Sequence, residues 1–204
     1  MSALPKRKMT ETEYLAIERA AEFKSEFYNG EMFAMSGAKY PHNRAKDNLA
    51  SELNARLRSG PCYAITSDMR VKVDRTGLYT YPDIIVVCGD PELLDDRQDV
   101  LLNLTVIVEV LSPSTEKFDR GAKFRHYQQI PSLKEFILVA QDEAVCERFV
   151  RQADESWAMT SVVGLGGVLD FASVRAIVSM ADLYRGVEFP TPYALRPDYP
   201  ICER

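Results

Sequence analysis

The apolar positions of this chain change period several times, and each change marks an element. Residues 105–111, TVIVEVL, are almost wholly apolar and mostly β-branched, the composition of a strand buried on both faces. PDIIVVC, the second half of 79–88, repeats that composition. Elsewhere the spacing is helical: Ala45, Leu49, Leu53 and Leu57 recur at i+4 steps and predict a helix over 42–58, ended by Gly60-Pro61. Thr10 or Thr12 is placed to cap a short helix running to Glu22, and Asn29-Gly30 between Phe27/Tyr28 and Met32/Phe33 signals a hairpin. Met69, Val71 and Val73 alternate with Arg70 and Lys72, so 62–73 is expected to be extended, with a turn at 74–77. An acidic loop is expected over 89–103, and strands over 136–140 and 145–150. Trp157–Val163 and Val168–Phe171 form a hairpin-like pair around Gly164–Gly167, and 174–184 is a helix candidate. Helices and strands interleave while hairpins flank the middle. That predicts an α/β (α+β) fold with a mixed central β-sheet flanked by helices.

Length and charge narrow the function. The 204 residues suit one domain, expected over 13–188, with a flexible N-terminal tail over 1–12 and an irregular tail over 189–204. A net charge of −5 argues against a protein that only grips nucleic acid non-specifically, and no interleaved aromatic and basic run marks a stacking platform. The cysteines at 62, 88, 146 and 202 form no CxxC pair, which favours reduced thiols in a cytoplasmic setting. No apolar stretch approaches the ~20 residues of a membrane span. GxSxG, GxxxxGK[ST] and HExxH are all missing from the chain.

What remains is a set of charged residues in apolar surroundings. Glu109 interrupts the strand over 105–111, and a buried carboxylate must neutralise, pair with a cation or bind a metal. Asp83 stands at the entrance of the other buried strand, after Pro82. If the two strands are neighbours, the acids converge, and two hard oxygen donors suit Mg²⁺ or Mn²⁺. Beyond the turn at Ser112–Thr115, with Thr115 placed as an N-cap, Asp119, Lys123 and Tyr127 recur at i, i+4 and i+8 on one helical face. Lys123 is the candidate cation for orienting water or stabilising phosphoryl charge, and Asp119 can hold it. Tyr127 either bonds within the site or packs. Glu31, just past the hairpin, is a further candidate ligand, and His42 a candidate phosphate contact or acid; His126 is expected on the surface. Plain structural roles compete: Asp83 as a turn cap, Lys123 as a surface lysine, Glu109 and Lys123 as a buried ion pair.

Together, YNGEMFAMSG with the following His42, YPDIIVV, VIVEVLSPST, the spaced Asp119 and Lys123, and KEFILV resemble the Uma2 family of endonucleases with a restriction-endonuclease-like PD-(D/E)XK core. The resemblance runs over about 14–187. It implies divalent-metal-dependent cleavage of DNA phosphodiesters, often by homodimers, with Asp83 and Glu109 as metal ligands and Lys123 as the catalytic lysine. The wider superfamily carries its lysine two residues after the acid; here that position is Leu111, and the amine comes from the helix as Lys123. A catalytically inactive nuclease-fold module that binds nucleic acid or a protein partner is the alternative.

Overall fold

The computed structural model describes residues 7–190 apart from Ser67 and Ser114. Helix α1 (Glu11–Glu18) starts at a capping box. The Thr10 hydroxyl accepts from the Glu13 N–H, and the Glu13 carboxylate accepts from the Thr10 N–H. The helix stops at Glu18, short of the expected Glu22, because Glu18 turns inward to accept from Ser25 N and the Tyr81 hydroxyl. The hairpin follows as β1 (Ser25–Tyr28) and β2 (Glu31–Ala34), with Asn29 at φ 53° and Gly30 at φ 82° making the turn. Met9 N donates to Gly30 O and Lys8 Nζ to Asn29 Oδ1, so these two residues of the expected tail lie against the turn.

Helix α2 (Tyr40–Leu57) buries Ala45, Leu49, Leu53 and Leu57, the line its spacing predicts. Then come β3 (Cys62–Thr66) and β4 (Arg70–Val73), followed by β5 (Leu78–Thr80) and β6 (Ile84–Cys88). The single extended segment expected over 62–73 is therefore two strands in different sheets. Its polar Arg70 is buried, donating to the Tyr81 hydroxyl at 2.8 Å and facing Asp99 at 3.2 Å. The acidic loop contributes a short strand, β7 (Val100–Leu101), parallel to β4.

The strand that carries Glu109 is β8 (Val106–Leu111), and all six of its residues are buried. After it the chain coils through α3 (Glu116–Phe118), a π-helical turn (Asp119–Lys123) and α4 (Phe124–Tyr127). Next are β9 (Glu135–Ala140), β10 (Val145–Arg151) and β11 (Trp157–Val163), then β12 (Val168–Phe171), β13 (Ala176–Ser179) and α5 (Met180–Leu183). Two segments pair otherwise than their spacing predicts. β11 pairs with β10 and not with β12, whose partner is β13. The helix expected over 174–184 is helical only over Met180–Leu183: Arg175 turns left-handed at φ 56°, and Ala176–Ser179, with the β-branched Ile177 and Val178, extends as β13 before that helix.

Among the described residues the strands form a six-stranded mixed sheet in the order β11-β10-β9-β8-β6-β3, and a five-stranded sheet in the order β2-β1-β5-β4-β7. One face of the six-stranded sheet (Ile84, Val86, Val108, Val110, Ile137) packs on α2, β13 and α5. The other face (Ile85, Val87, Ile107, Leu111, Phe136) meets α4 and residues of β4 and β5. The mixed sheet flanked by helices is as expected, except that part of one layer is a second sheet. Glu109 belongs to that second face, two residues from Ile107 and from Leu111, one full period of the alternation.

The thiol expectation also needs correction. Cys62 and Cys88 stand directly opposite each other on the antiparallel pair β3–β6 and are joined as a disulfide. Their spacing of 26 residues hides a contact that only strand pairing creates. Cys146 is free and buried, and burial pushes its thiol up to about 12; Cys202 lies outside the described residues.

Candidate functional site

Strand register brings the two acids together. Ile84 pairs with Val108 across β6 and β8, so Asp83, one residue earlier, comes opposite Glu109, one residue later. Paired residues of adjacent strands point to the same face, and both acids line one cleft of about 480 Å³. Asp83 is fixed through one oxygen: its Oδ2 accepts from Val110 N at 2.8 Å and lies 3.2 Å from His42 Nε2. His42 gets there from the first turn of α2, whose entry is set by Pro41. Its Nδ1 is buried and has no hydrogen-bond partner among the described residues.

Glu109 is fixed in the same way. Its Oε1 accepts from the Tyr127 hydroxyl at 2.6 Å and lies 2.9 Å from Lys123 Nζ. Lys123 therefore reaches the site from the helical segment, across from the strand on which Leu111 is packed into the core. The π-helical turn carries both Asp119 and Lys123, and π-turns in helices recur where a functional side chain must be re-aimed. Lys123 Nζ is 3.6 Å from Asp119 Oδ1 and 3.2 Å from Glu26 Oε1. Thr115 does not cap the helix with its side chain; its hydroxyl bonds Ser112 Oγ at 2.9 Å and the Asp119 carboxylate.

Charge in this cluster is unbalanced. Glu26, Glu109 and Asp119 are three carboxylates within 3.6 Å of the single ammonium of Lys123, and Asp83 is a fourth in the same cleft. Lys123 is held charged, well above its usual range, because burial is outweighed by Glu109 and the neighbouring acids. Glu109 is pushed the opposite way, up to about 8: burial dominates, Lys123 pulls it back, and Asp119 and Asp83 raise it further. Burial also raises Asp119. One ammonium serves three carboxylates, so the lysine stays ionised while Glu109 moves toward its neutral form. Tyr127 is raised well above its usual range by burial and by Glu109, which keeps its hydroxyl a donor.

Two residues differ from the sequence reading. Glu31 is exposed and pairs across the hairpin with Tyr28, near the turn and away from the cleft, so it is not placed to be a ligand. The hairpin acid that enters the cleft is Glu26. Its signal was the alternation in SEFY: Phe27 buries itself against Tyr14 and Tyr79, which turns its neighbour Glu26 to the opposite face. His126 is half-buried rather than on the surface, its ring edge-on to Tyr28 at 4.6 Å.

Comparison with known proteins agrees with this architecture. The chain is 34% identical over 167 residues to the uncharacterised protein sll1609 of Synechocystis sp. PCC 6803, covering 82% of this chain and 94% of that one. A second uncharacterised protein of that organism, slr1290, is 31% identical over 185 residues, covering 91% and 96%. The fold matches the crystal structure of "a putative nuclease belonging to DUF820" from Anabaena variabilis, with a TM-score of 0.69 at 17% identity, over 85% of this chain and 96% of that one. Residues 12–178 match the model of Uma2, described as "Putative restriction endonuclease", and the chain belongs to the Uma2 family.

Proposed function

We propose that this chain is a divalent-metal-dependent endonuclease that hydrolyses DNA phosphodiester bonds. The observation that carries the reading is the facing pair Asp83 and Glu109, each tied down through one named oxygen and sharing a cleft with Lys123. The family and the nuclease fold support it at the coarser level of a nuclease.

The donor set fits Mg²⁺ or Mn²⁺. Among the described residues, no three His, Cys, Asp or Glu side chains converge as a ready-made cage. Mg²⁺ does not ask for one: it keeps several waters and takes one or two carboxylates. The excess of carboxylate over ammonium is a second point of fit, because a divalent cation would offset the burial, and then the neighbouring acids, that raise Glu109. Asp83 and Glu109 would hold the ion. When bound, it supplies positive charge to the phosphoryl group and makes water more acidic.

The chain's own residues do the rest. The Val110 N–H and His42 hold Asp83 in one orientation, and the Tyr127 hydroxyl does the same for Glu109. Glu26 and Asp119 steer the Lys123 ammonium to a phosphoryl oxygen, where it stabilises developing negative charge. A homodimer acting in the cytoplasm completes the proposal, although the Cys62–Cys88 bridge removes the thiol argument for a reducing compartment. No helix among the described residues is long and apolar enough to cross a membrane.

Incubating the purified chain with single-stranded DNA and with plasmid, in Mg²⁺ or Mn²⁺ and beside Asp83→Ala, tests the reading. Cleavage of at least one of them by the wild type alone is the expected result; equal cleavage by both proteins, or none by either, overturns it. A second reading, a binding module without turnover, is favoured by the direct Glu109–Lys123 contact at 2.9 Å, which is also how a structural ion pair looks.

A further inference from the structure

The rim of the cleft is apolar in a way the core does not explain. Phe33 is 49% exposed, Met35 36% and Phe118 42%, and all three line the same cleft as Glu109 and Lys123. Large side chains left in water forgo burial that the fold could otherwise use, and contiguous exposed apolar groups mark binding surfaces. Each aromatic ring is also anchored to the reactive cluster. Phe33 is the cross-strand partner of Glu26, and Phe118 immediately precedes Asp119. Both neighbours are acids that hold Lys123.

Charge at the cleft points the same way. Its lining contains two lysines, Lys39 and Lys123, and Lys123 is already surrounded by carboxylates. Binding to duplex DNA draws most of its strength from many Lys and Arg contacts to phosphate, which this lining does not offer. A single strand is also a polyanion, but its bases can add affinity by stacking on aromatic rings, a contribution that tolerates any sequence and that a duplex does not offer. Depth matters as well: the side chains of Glu109 and Lys123 are only 5% and 7% exposed, so a phosphate must descend below the rim to meet them. A stiff duplex keeps its bases stacked inside, where Phe33 and Phe118 have no face to meet. An unpaired strand bends into a recess and turns its bases outward.

We infer that the cleft takes an unpaired polynucleotide strand, with bases stacked on Phe33 and Phe118 while the phosphate between them reaches Asp83, Glu109 and Lys123. The inference rests on the nuclease reading of that cleft and names its substrate class. Fluorescence anisotropy with a labelled single-stranded DNA, the matching single-stranded RNA and the matching DNA duplex tests it on the full chain. At least one single strand should bind ten times or more tighter than the duplex, and the DNA and RNA arms tell which sugar is preferred. The double variant Phe33→Leu/Phe118→Leu keeps apolar bulk and removes the rings. It should lose roughly tenfold or more of single-strand affinity, the scale of one or two lost stacks, with an unchanged melting temperature. Duplex binding as tight as single-strand binding, no binding to any probe, or undiminished binding by a folded double variant overturns the inference. A cleavage assay with Mg²⁺ separates it from the reading beneath it. Single strands bound through the rings but never cut uphold this inference and sink hydrolysis; duplex cut without single-strand preference does the reverse.

Discussion

Glu109→Gln separates a reactive acid from a structural one. The amide keeps the shape of the side chain and an acceptor for Tyr127, and it removes the charge. Burial, with Asp119 and Asp83 close by, drives the Glu109 carboxyl from 4.5 up to about 8 in spite of Lys123. At pH 7 the cation-free native state therefore bears about 3 kcal/mol against folding on account of this one group. Gln removes that burden. Lys123 loses one partner but keeps Glu26 at 3.2 Å and Asp119 at 3.6 Å, which offsets part of the gain. Melts at pH 7 in EDTA should place the variant between the wild type and roughly 10 °C above it. Adding Mg²⁺ should raise the wild-type Tm, because the ion binds only the folded state, and should leave the variant where it was. A fall of about 3 kcal/mol or more in the variant, the signature of a broken buried ion pair, together with an intact Mg²⁺ response, would refute the reasoning.

Because the folded-state pKa of Glu109 lies above its unfolded value, its burden is absent below about pH 4.5 and complete above about pH 8. The cation-free wild type should thus lose stability relative to Glu109→Gln as pH rises through that window, and a constant Tm difference between the two would contradict it. Leu53→Ala, fully buried in α2, should cost about 2–5 kcal/mol in urea melts while leaving the Mg²⁺-induced shift in place. Reducing the Cys62–Cys88 bridge, which closes a 26-residue separation, should cost about 3–4 kcal/mol on the chain-entropy estimate, and identical melts with and without reductant would show that the bridge does not form in solution.

Local patterns proved legible where one period suffices. The β-branched run around Glu109, the Asn29-Gly30 turn and the i+4 line of α2 each carry their structure in adjacent residues, and each forms where expected. Asp83 and Glu109 were visible as misfits in apolar runs, but their meeting depends on β6 lying beside β8 in a register that no local pattern fixes. The same limit hid the Cys62–Cys88 bridge and the pairing of β12 with β13. Alternation puts Arg70 on the face opposite Met69 and Val71 without saying what covers it. Tyr81, Asp99 and Tyr14 make its burial tolerable. Glu26 and Glu31 flank the same Asn29-Gly30 turn, and only the packing of Phe27 against Tyr14 and Tyr79 makes Glu26 the one that lines the cleft. The helix read over 174–184 covers two elements, because the left-handed Arg175 sends 176–179 into a strand and leaves only Met180–Leu183 helical.

In the proposed role, Asp83 and Glu109 hold a divalent cation between them. Titrating Mn²⁺ into the full chain by isothermal calorimetry, beside Asp83→Asn and Glu109→Gln, measures it without reference to activity. Saturable binding by the wild type, lost or weakened at least tenfold in both variants, is the predicted result. Wild-type protein that takes up no Mn²⁺, or variants that bind it as well as the wild type, would contradict the account.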